Sequence, residues 1–467
     1  MSDNRAWAKR FKFCLLPKSP IWLFLSIILA TYHVPSWSQI KVNENRDTRI
    51  SITPQVIGDE VTLRVQVRKN NKLLTNLKQK DFSVRVDCKE NNISSCETVP
   101  FKFITPKESK PLPTRIVLLL DLSGSMIKLD EGNEQPKLQG AIDAIKEFTQ
   151  VLAERGNNTQ MVIVPFSSDY KDENGRSICS GEPVTKQTLD RFAPASDPQH
   201  QTDLRQLKDA LSKDREAPSK NQPKKRICGE TNLYQSLATT LDFLGNLNLE
   251  NQSQSVGFSQ SPRLHVVLLS DGFDTVGFDP GQKDICHPSH FEKLKTEYLR
   301  RYAGKIRVHT VGYGLTPEEL GQRYSVLKGK PAKCEDREKF SGEERKNFEN
   351  ELVDREHLKE IADLTDGTPE FSGNAREIAQ RFQNILDIIL DEYQIIYTQK
   401  NADTASRHNA FVNVRSIGDR EVSYSIPFVF QVPSHIRFWT IPLFVIVPLG
   451  LSILFLYLLA IDIKKYN

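Results

Sequence analysis

The stretch RIVLLLDLSGSM, Arg115–Met126, joins an apolar run directly to a D-x-S-x-S pattern. The run Ile116–Leu120 is too short for a helix and too uniform for a half-exposed strand, so it predicts a buried strand of a parallel sheet. Asp121, Ser123 and Ser125 would then lie on the loop at its carboxyl end, the edge at which open α/β sheets bind ligands. Carboxylate and hydroxyl oxygens suit Mg²⁺ better than they suit zinc or copper. The alternative interpretation is an ordinary loop between a strand and a helix.

The residues that follow predict an α/β domain over 114–395, with a Rossmann-like, open and mostly parallel sheet flanked by helices. The further predicted strands are Met161–Val164, Leu264–Leu269 and Val308–Val311, and the predicted helices begin near Leu138, Leu233 and Leu358. The last helix carries an apolar stripe of Ile378, Phe382, Ile385, Ile389 and Tyr393. Polar stretches near 170–228, 250–262 and 316–352 predict insertions, loops or disordered segments on the surface.

Length and charge restrict the function classes. A chain of 467 residues has room for two or three domains, and its formal net charge is +4. Residues 1–38 contain five lysines and arginines against Asp3, so the remainder is close to neutral. This balance predicts no surface for nucleic acid.

The N-terminal residues resemble an export signal. Basic residues precede the short apolar core Ile21–Tyr32, and Ser36-x-Ser38 fits a signal-peptidase site. We therefore expect a signal peptide over 1–38. A buried N-terminal helix or an uncleaved membrane anchor is the alternative.

The C-terminal residues predict a single transmembrane helix. The run Phe438–Ile461 is uncharged, and Lys464 and Lys465 follow it in a short tail over 462–467. With the lysines in the cytoplasm, the body of the protein would lie on the extracytoplasmic side of the plasma membrane, in the periplasm or outside the cell.

Cysteine usage suits an oxidising compartment. Cys14 would leave with the signal peptide, and six cysteines remain. Six cysteines allow about fifteen pairings, among which sequence neighbours favour disulfides. These are Cys88–Cys96, Cys179–Cys228 and Cys286–Cys334. Zinc binding is the alternative, but the chain has no C-x-x-C pattern.

Segments on both sides of the α/β domain predict β structure. In EVTLRVQVR, Glu60–Arg68, apolar and polar residues alternate as in a half-buried antiparallel strand. After the domain, AFVNVRSI and EVSYSIPFVF are joined by the turn signal Gly418-Asp419. Because the first strand begins on the side where the last helix ends, we expect 39–109 and 400–432 to pair into one small β-sandwich-like domain, opposite the loops of the candidate site. Two independent β segments, or a C-terminal hairpin acting as a stalk, are the alternatives.

Two later stretches add oxygen donors at the same predicted edge of the sheet. GETNLYQSL places Thr231 just before a helix, and VVLLSDGFDT places Asp271 at the end of a buried strand. A cation needs ligands from more than one loop, so these residues complete a candidate site with Asp121, Ser123 and Ser125.

In this order and on these elements, D-L-S-G-S at 121–125, T-N-L at 231–233 and S-D-G at 270–272 resemble the von Willebrand factor A domain. HTVGYG at 309–314 and LKEIADLTDGTPEF before the last helix extend the resemblance, which covers 114 to about 395.

The resemblance implies a metal-ion-dependent adhesion site that binds Mg²⁺ or Mn²⁺. Ser123, Ser125 and Thr231 would supply hydroxyl oxygens, while Asp121 and Asp271 would bind the ion directly or through water.

Two acidic residues lie beside these motifs. Glu230 stands where many family members have glycine, and its carboxylate either points into solvent or crowds or caps the ion. Asp274 is interpreted as an exposed loop charge.

A divalent ion held by neutral hydroxyls and two carboxylates keeps positive charge and attracts a carboxylate of a partner protein. We therefore expect a membrane-anchored adhesion or recognition protein. The alternative is a scaffolding subunit of an envelope membrane complex that assembles with its membrane partners independently of metal. An enzyme is not expected, because H-E-x-x-H, G-x-x-x-x-G-K-[ST] and a Ser/His/Asp series are absent from the sequence. His265 and His309 lie in apolar strands and are expected to be core residues.

Overall fold

The computed structural model describes most of the chain between residues 48 and 425. It covers residues 48–425 except 58, 71, 87–95, 130–134, 157, 172–176, 215–226, 228, 255–261, 279–287, 400–406 and 416. Among these residues, no helix combines the length and the apolar sequence that a bilayer-spanning segment needs. The predicted signal peptide, membrane helix and tail lie outside them.

The strands of the described residues are β1 Thr48–Ile57, β2 Glu60–Lys69, β3 Lys72–Leu73, β4 Phe82–Val86, β5 Glu97–Thr98, β6 Lys102–Ile104, β7 Thr114–Asp121, β8 Thr159–Phe166, β9 Tyr170–Lys171, β10 Ser177–Cys179, β11 Ala193–Pro194, β12 Arg263–Ser270, β13 Ile306–Tyr313, β14 Pro369–Ser372, β15 Tyr393–Thr398, β16 Arg407–Val414 and β17 Gly418–Ser425.

The α-helices are α1 Lys137–Arg155, α2 Lys186–Leu189, α3 Pro198–Asp214, α4 Leu233–Gln254, α5 Pro288–Lys293, α6 Arg300–Tyr302, α7 Pro317–Arg323, α8 Gly342–Glu351, α9 Arg355–Leu364 and α10 Ala375–Leu390. A π-helical segment, Leu294–Leu299, joins α5 to α6. Short 3₁₀ helices are Gln79–Asp81, Gly124–Ile127, Ser325–Leu327 and Cys334–Lys339.

The α/β part is built on a six-stranded sheet with the order β11-β8-β7-β12-β13-β14. Neighbouring strands are parallel except at the edge, where β11 pairs antiparallel with β8. Counted along the chain this order is 3-2-1-4-5-6, and ligands of such sheets bind where the order reverses, here between β7 and β12. The predicted parallel sheet flanked by helices is confirmed.

Apolar layers cover both faces of this sheet. On one face α1, α3 and α10 pack over a core that contains Leu118, Phe148 and Phe382. On the other face α4 and α9 cover a core that contains Leu119 and Leu237. Successive residues of β7 enter opposite layers, which is why its sequence is apolar without alternation.

The β part is a sandwich of two antiparallel sheets. One has the order β1-β2-β15-β6, with β3 also beside β2, and the other has the order β17-β16-β4-β5. β15 lies between β2 and β6, and β16 pairs with β4 with Val412 opposite Val84. Strands from before and after the α/β part therefore share both sheets and one apolar core.

Strand β2 is buried on both faces, so its interpretation as a half-buried strand was wrong. Arg64, Gln66 and Arg68, on its polar face, are only 8%, 1% and 1% exposed. This face packs on the end of the α/β part at which the strands begin. Arg68 Nη2 lies 2.6 Å from Asp366 Oδ1, and Arg307 donates to Gln66 Oε1 at 3.1 Å. Polar groups of the second domain replace the expected solvent.

The stretch 170–228 is partly an element of the fold, not only an insertion. It supplies the edge strand β11 and the helix α3. Leu204, Leu207 and Leu211 of α3 are buried in the same core as α1. Their helical spacing was overlooked because lysines, aspartates and glutamines surround them in the sequence.

The stretch 316–352 is an ordered insertion with a small core of its own. The rings of Phe340 and Phe348 stack with centroids 4.7 Å apart, and Tyr324 meets both edge-on. Phe273, from the loop after β12, joins the same cluster. The insertion therefore lies against the candidate site.

The last helix is shorter than predicted, because α10 ends at Leu390 and Tyr393 begins β15. Tyr393, Ile395 and Tyr397 are buried in the sandwich core with the period of a strand. The placement of Tyr393 on the helical stripe was therefore wrong.

Cys96, Cys179 and Cys334 each take part in a disulfide. Cys88, Cys228 and Cys286 lie outside the described residues, so the pairing inferred from the sequence stays a prediction.

Candidate metal site

The candidate site lies where two adjacent parallel strands end. β7 ends at Asp121, and β12 ends at Ser270, one residue before Asp271. Both aspartates are 0% exposed. They lie at the point of the sheet where the strand order reverses, which is the edge predicted from the sequence.

Hydrogen bonds join the side chains of these two loops. Asp121 Oδ1 accepts from the Ser123 N–H at 2.8 Å, and its Oδ2 accepts from Ser270 Oγ at 2.6 Å. The hydroxyls of Ser123 and Ser125 are 2.9 Å apart, and Ser125 donates to Asp271 Oδ1 at 2.7 Å. Asp121, Ser123, Ser125 and Asp271 thus form one buried polar cluster.

Thr231 is fastened beside this cluster through backbone contacts. Its loop forms a parallel bridge between Gly229 and Ser123, and the Gly124 N–H donates to the Gly229 carbonyl at 3.0 Å. The Thr231 N–H donates to Thr275 Oγ1 at 2.9 Å, which ties it to the loop of Asp271. Thr231 is 4% exposed.

Gly229 and Glu230, the two residues before Thr231, differ in the space available for a side chain. A Cβ on Gly229 would lie 2.1 Å from the carbonyl oxygen of Ser168, so the close approach of the two loops requires glycine there. Glu230 is exposed, and its carbonyl accepts from the Ser168 N–H at 2.9 Å. Glycine is therefore required at position 229, whereas position 230 accepts the glutamate.

Asp274 is not an exposed loop charge, as the sequence had suggested, but is 7% exposed. Its Oδ2 accepts from the N–H of Tyr234 at 2.9 Å in the first turn of α4. Its Oδ1 accepts from the N–H groups of Val276 and Gly277 at 2.9 and 2.8 Å. Asp274 therefore shapes the loop that carries Asp271 and caps α4.

Lys137 is part of the site, although it was not predicted from the sequence. It is the first residue of α1, and its Nζ lies 2.7 Å from Asp271 Oδ2. A cation in the first turn of a helix opposes the helix dipole. The unfavourable position of Lys137 was a signal in the sequence that its side chain has a specific partner, but it did not identify Asp271 as that partner.

Two buried carboxylates make this site short of positive charge. Burial and the charge of Asp271 raise the pKa of Asp121 well above its ordinary value, and the hydrogen bonds from Ser270 and Ser123 offset only part of that rise. The negative charge of the two buried carboxylates therefore attracts cations to the site.

The donor set fits a hard divalent cation. The oxygen separations of 2.9 and 2.7 Å are near the roughly 3 Å between adjacent ligands of an octahedral Mg²⁺ with bonds of about 2.1 Å. In the described part of the chain no group of three or more His, Cys, Asp or Glu side chains could hold a metal. Hydroxyl oxygens would therefore be essential ligands here.

The two histidines singled out in the sequence are core residues. His265 Nδ1 lies 3.0 Å from His309 Nε2, and the residues are 1% and 0% exposed. Burial lowers the pKa of both, that of His309 to about 3.

Comparisons with known proteins give only distant similarities. No family model matches the chain, and no curated protein matches it. Among solved structures it is similar to the pilus adhesin SpaC from Lactobacillus rhamnosus GG, with TM-score 0.32 and 14% identity over 83% of this chain. The chain spans about half of that adhesin, 49% of its length. It is also similar to the SpRpn10 VWA domain, with TM-score 0.23 and 8% identity over 44% of this chain and 77% of the other. Scores this low carry no inference about function.

Proposed function

We propose that this protein binds Mg²⁺ or Mn²⁺ at the carboxyl edge of its central sheet and, through that ion, a carboxylate of a partner protein. The observation that carries the proposal is the buried cluster of Asp121, Ser123, Ser125 and Asp271 at the reversal of strand order. Thr231 is held beside it by the loops on either side.

The chemistry of the donors supports binding rather than catalysis. Hydroxyls are neutral, so an ion shared with two carboxylates keeps affinity for another anion. Adhesion or recognition of an acidic protein surface follows from that residual charge.

We further propose that a membrane helix at 438–461 anchors the protein, with its body on the extracytoplasmic side of the plasma membrane. The uncharged run before Lys464 supports the anchor. Disulfides at Cys96, Cys179 and Cys334 support an oxidising compartment. The site would then face outward, because it lies at the opposite end of the sheet from the sandwich, after which the chain continues towards 438.

Two aspartates provide a matched test. Asp271→Asn removes a proposed ligand charge, whereas Asp387→Asn removes an equal charge from a partly exposed side chain of α10 that pairs with Arg155. In calorimetric titration with MgCl₂ or MnCl₂ we expect Asp271→Asn to weaken binding at least about tenfold and Asp387→Asn to stay within about threefold of the parent. Absence of binding by both the parent and Asp387→Asn would show that the ion site is wrong.

A pull-down from a membrane extract separates the two functions. Partners that are captured in Mg²⁺ and lost in EDTA, and lost also with Asp271→Asn, support ion-mediated recognition. Partners that are retained equally in EDTA support the scaffolding alternative.

A further inference from the structure

Lys137 places a positive charge directly on a proposed ligand. Its Nζ is 2.7 Å from Asp271 Oδ2, and the two side chains are 9% and 0% exposed. Lysine is almost never buried to this degree unless it is paired.

The backbone fixes the lysine in this position. The Lys137 N–H donates to the Lys128 carbonyl at 3.0 Å, and the preceding Pro136 forms an antiparallel bridge with Leu129. The start of α1 is thereby fastened to the loop that follows Ser125. The side chain cannot leave Asp271 by a shift of the helix end alone.

Both oxygens of Asp271 already have partners. Oδ1 accepts from Ser125, and Oδ2 accepts from Lys137. A divalent ion bound to Asp271 would meet an ammonium on the same carboxylate, and like charges a few ångströms apart repel strongly where water is excluded.

On the basis of the proposed function, we infer that Lys137 determines the affinity of the ion site, because its ammonium competes with the divalent ion for Asp271. In the ion-free protein the ammonium balances part of the charge of Asp121 and Asp271. Binding of the ion requires the ammonium to leave Oδ2, which weakens the affinity for the ion.

The test compares ion affinity and ion-free stability in the same variants. By calorimetry with MnCl₂ and MgCl₂ we expect Lys137→Met to bind at least about tenfold more tightly than the parent. In EDTA we expect its thermal midpoint to be lower, because two buried carboxylates lose a counter-charge, and MnCl₂ should raise that midpoint more than it raises the parent's. Lys137→Arg keeps the charge and should bind as weakly as the parent.

Lys128→Met is the matched control. It removes the same charge from a nearby half-buried lysine whose Nζ lies 3.4 Å from Asn347 Oδ1. Its charge also acts on Asp271, but from a distance and without contact with a proposed ligand, so we expect its affinity to rise by less than about threefold over the parent.

The outcomes distinguish a failure of the competition by Lys137 from a failure of the ion site itself. Equal affinities of the parent and Lys137→Met would overturn the inference and leave the ion site standing. Absence of binding by the parent and every variant would overturn both. Binding by Lys137→Met alone would support the competition and show that the native site does not load. If Lys137→Met does not fold, Lys137→Gln, which keeps a hydrogen-bond donor without the charge, replaces it under the same expectations.

Discussion

Asp271 and Asp274 lie three residues apart on one loop and are both buried. Asp271 meets the hydroxyl of Ser125 and the ammonium of Lys137, whereas Asp274 accepts from the N–H of Tyr234 and its own loop. The partners that distinguish them, Ser125, Lys137 and Tyr234, come from distant parts of the chain, so the spacing of the two residues could not tell a proposed ligand from a cap. The loops of Asp121 and Asp271 were predictable, since each follows an apolar strand, whereas Thr231 was placed by the helix that follows it.

The buried pair His265 and His309 makes stability depend on pH. The rings stack with centroids 5.3 Å apart, and burial lowers the pKa of both histidines, that of His309 to about 3. The unfolded chain binds these protons near pH 6.5, whereas the folded chain does not. The contribution to stability is therefore full above about pH 6.5 and is lost as the pH falls towards 3.

We expect the double variant His265→Phe/His309→Phe to lose less stability on acidification. Between pH 7.5 and 5.0 its urea-unfolding free energy should fall by about 2 kcal/mol less for each histidine removed. His357→Gln is the control. Burial lowers the pKa of His357, but the hydrogen bond and charge of Asp354 outweigh that effect and raise it, so its removal should not flatten the acid loss. Parallel pH profiles of parent and double variant would contradict the assignment.

Secondary-structure elements with long apolar runs or stripes were predicted, and those with short or mostly polar sequences were missed. β7, β12, α1 and α10 carry long apolar runs or stripes that burial imposes. The edge strand β11 has two residues, too few to show any period. For β2 the alternation was correct, but no pattern within a strand can show that another domain covers its polar face.

The ion pair of Arg68 and Asp366 belongs to this domain contact. Arg68 is 1% exposed and also donates to the Gly367 carbonyl at 3.3 Å. Asp366 has a left-handed backbone, φ 55°, and it also pairs with Arg307 at 3.3 Å. We expect Arg68→Met to lower the free energy of unfolding by about 3 kcal/mol, because it leaves the buried Gly367 carbonyl without this donor and Asp366 without its nearest cation. Urea denaturation measures the loss.

Arg49→Met is the comparison at the same contact. Arg49 pairs with Asp363 at 2.9 Å, but the side chains are 33% and 27% exposed. Such a solvated pair contributes at most about 1 kcal/mol. Equal losses for the two variants would mean that burial of Arg68 does not set its contribution.

At the scale of the whole molecule, the chain passes from the sandwich into the α/β part and returns to the sandwich. β7 begins at Thr114 after β6, and β15 begins three residues after α10 ends. Arg263, at the start of β12, pairs with Glu392 just before β15. The N-terminal ends of the parallel strands therefore face the sandwich. Helices run in the opposite direction to the parallel strands that they connect, and this was enough to predict on which side of the α/β part the sandwich lies. The contacts that cover it depend on residues distant in sequence and could not be predicted.

The sandwich and the candidate ion site, at the two ends of the molecule, should be independent of each other. Removing the residues after Gln399 deletes β16, whose Ala410, Val412 and Val414 are 0% exposed in the sandwich core. β4 pairs with β16 along Phe82–Val86, so we expect these amides to lose hydrogen-exchange protection.

Val412→Asp should reproduce that loss in the full chain by placing a charge in the core, while the nearly isosteric Val412→Thr should keep most of the protection. In all three proteins we expect the affinity for Mn²⁺ to stay within about twofold of the parent, because the cluster of Asp121 and Asp271 lies at the opposite end of the central sheet. Undiminished protection of β4 would mean that the sandwich does not need the C-terminal strands. A loss of Mn²⁺ affinity in parallel with protection would show instead that the sandwich supports the ion site through the sheet, and that the two ends of the molecule are coupled.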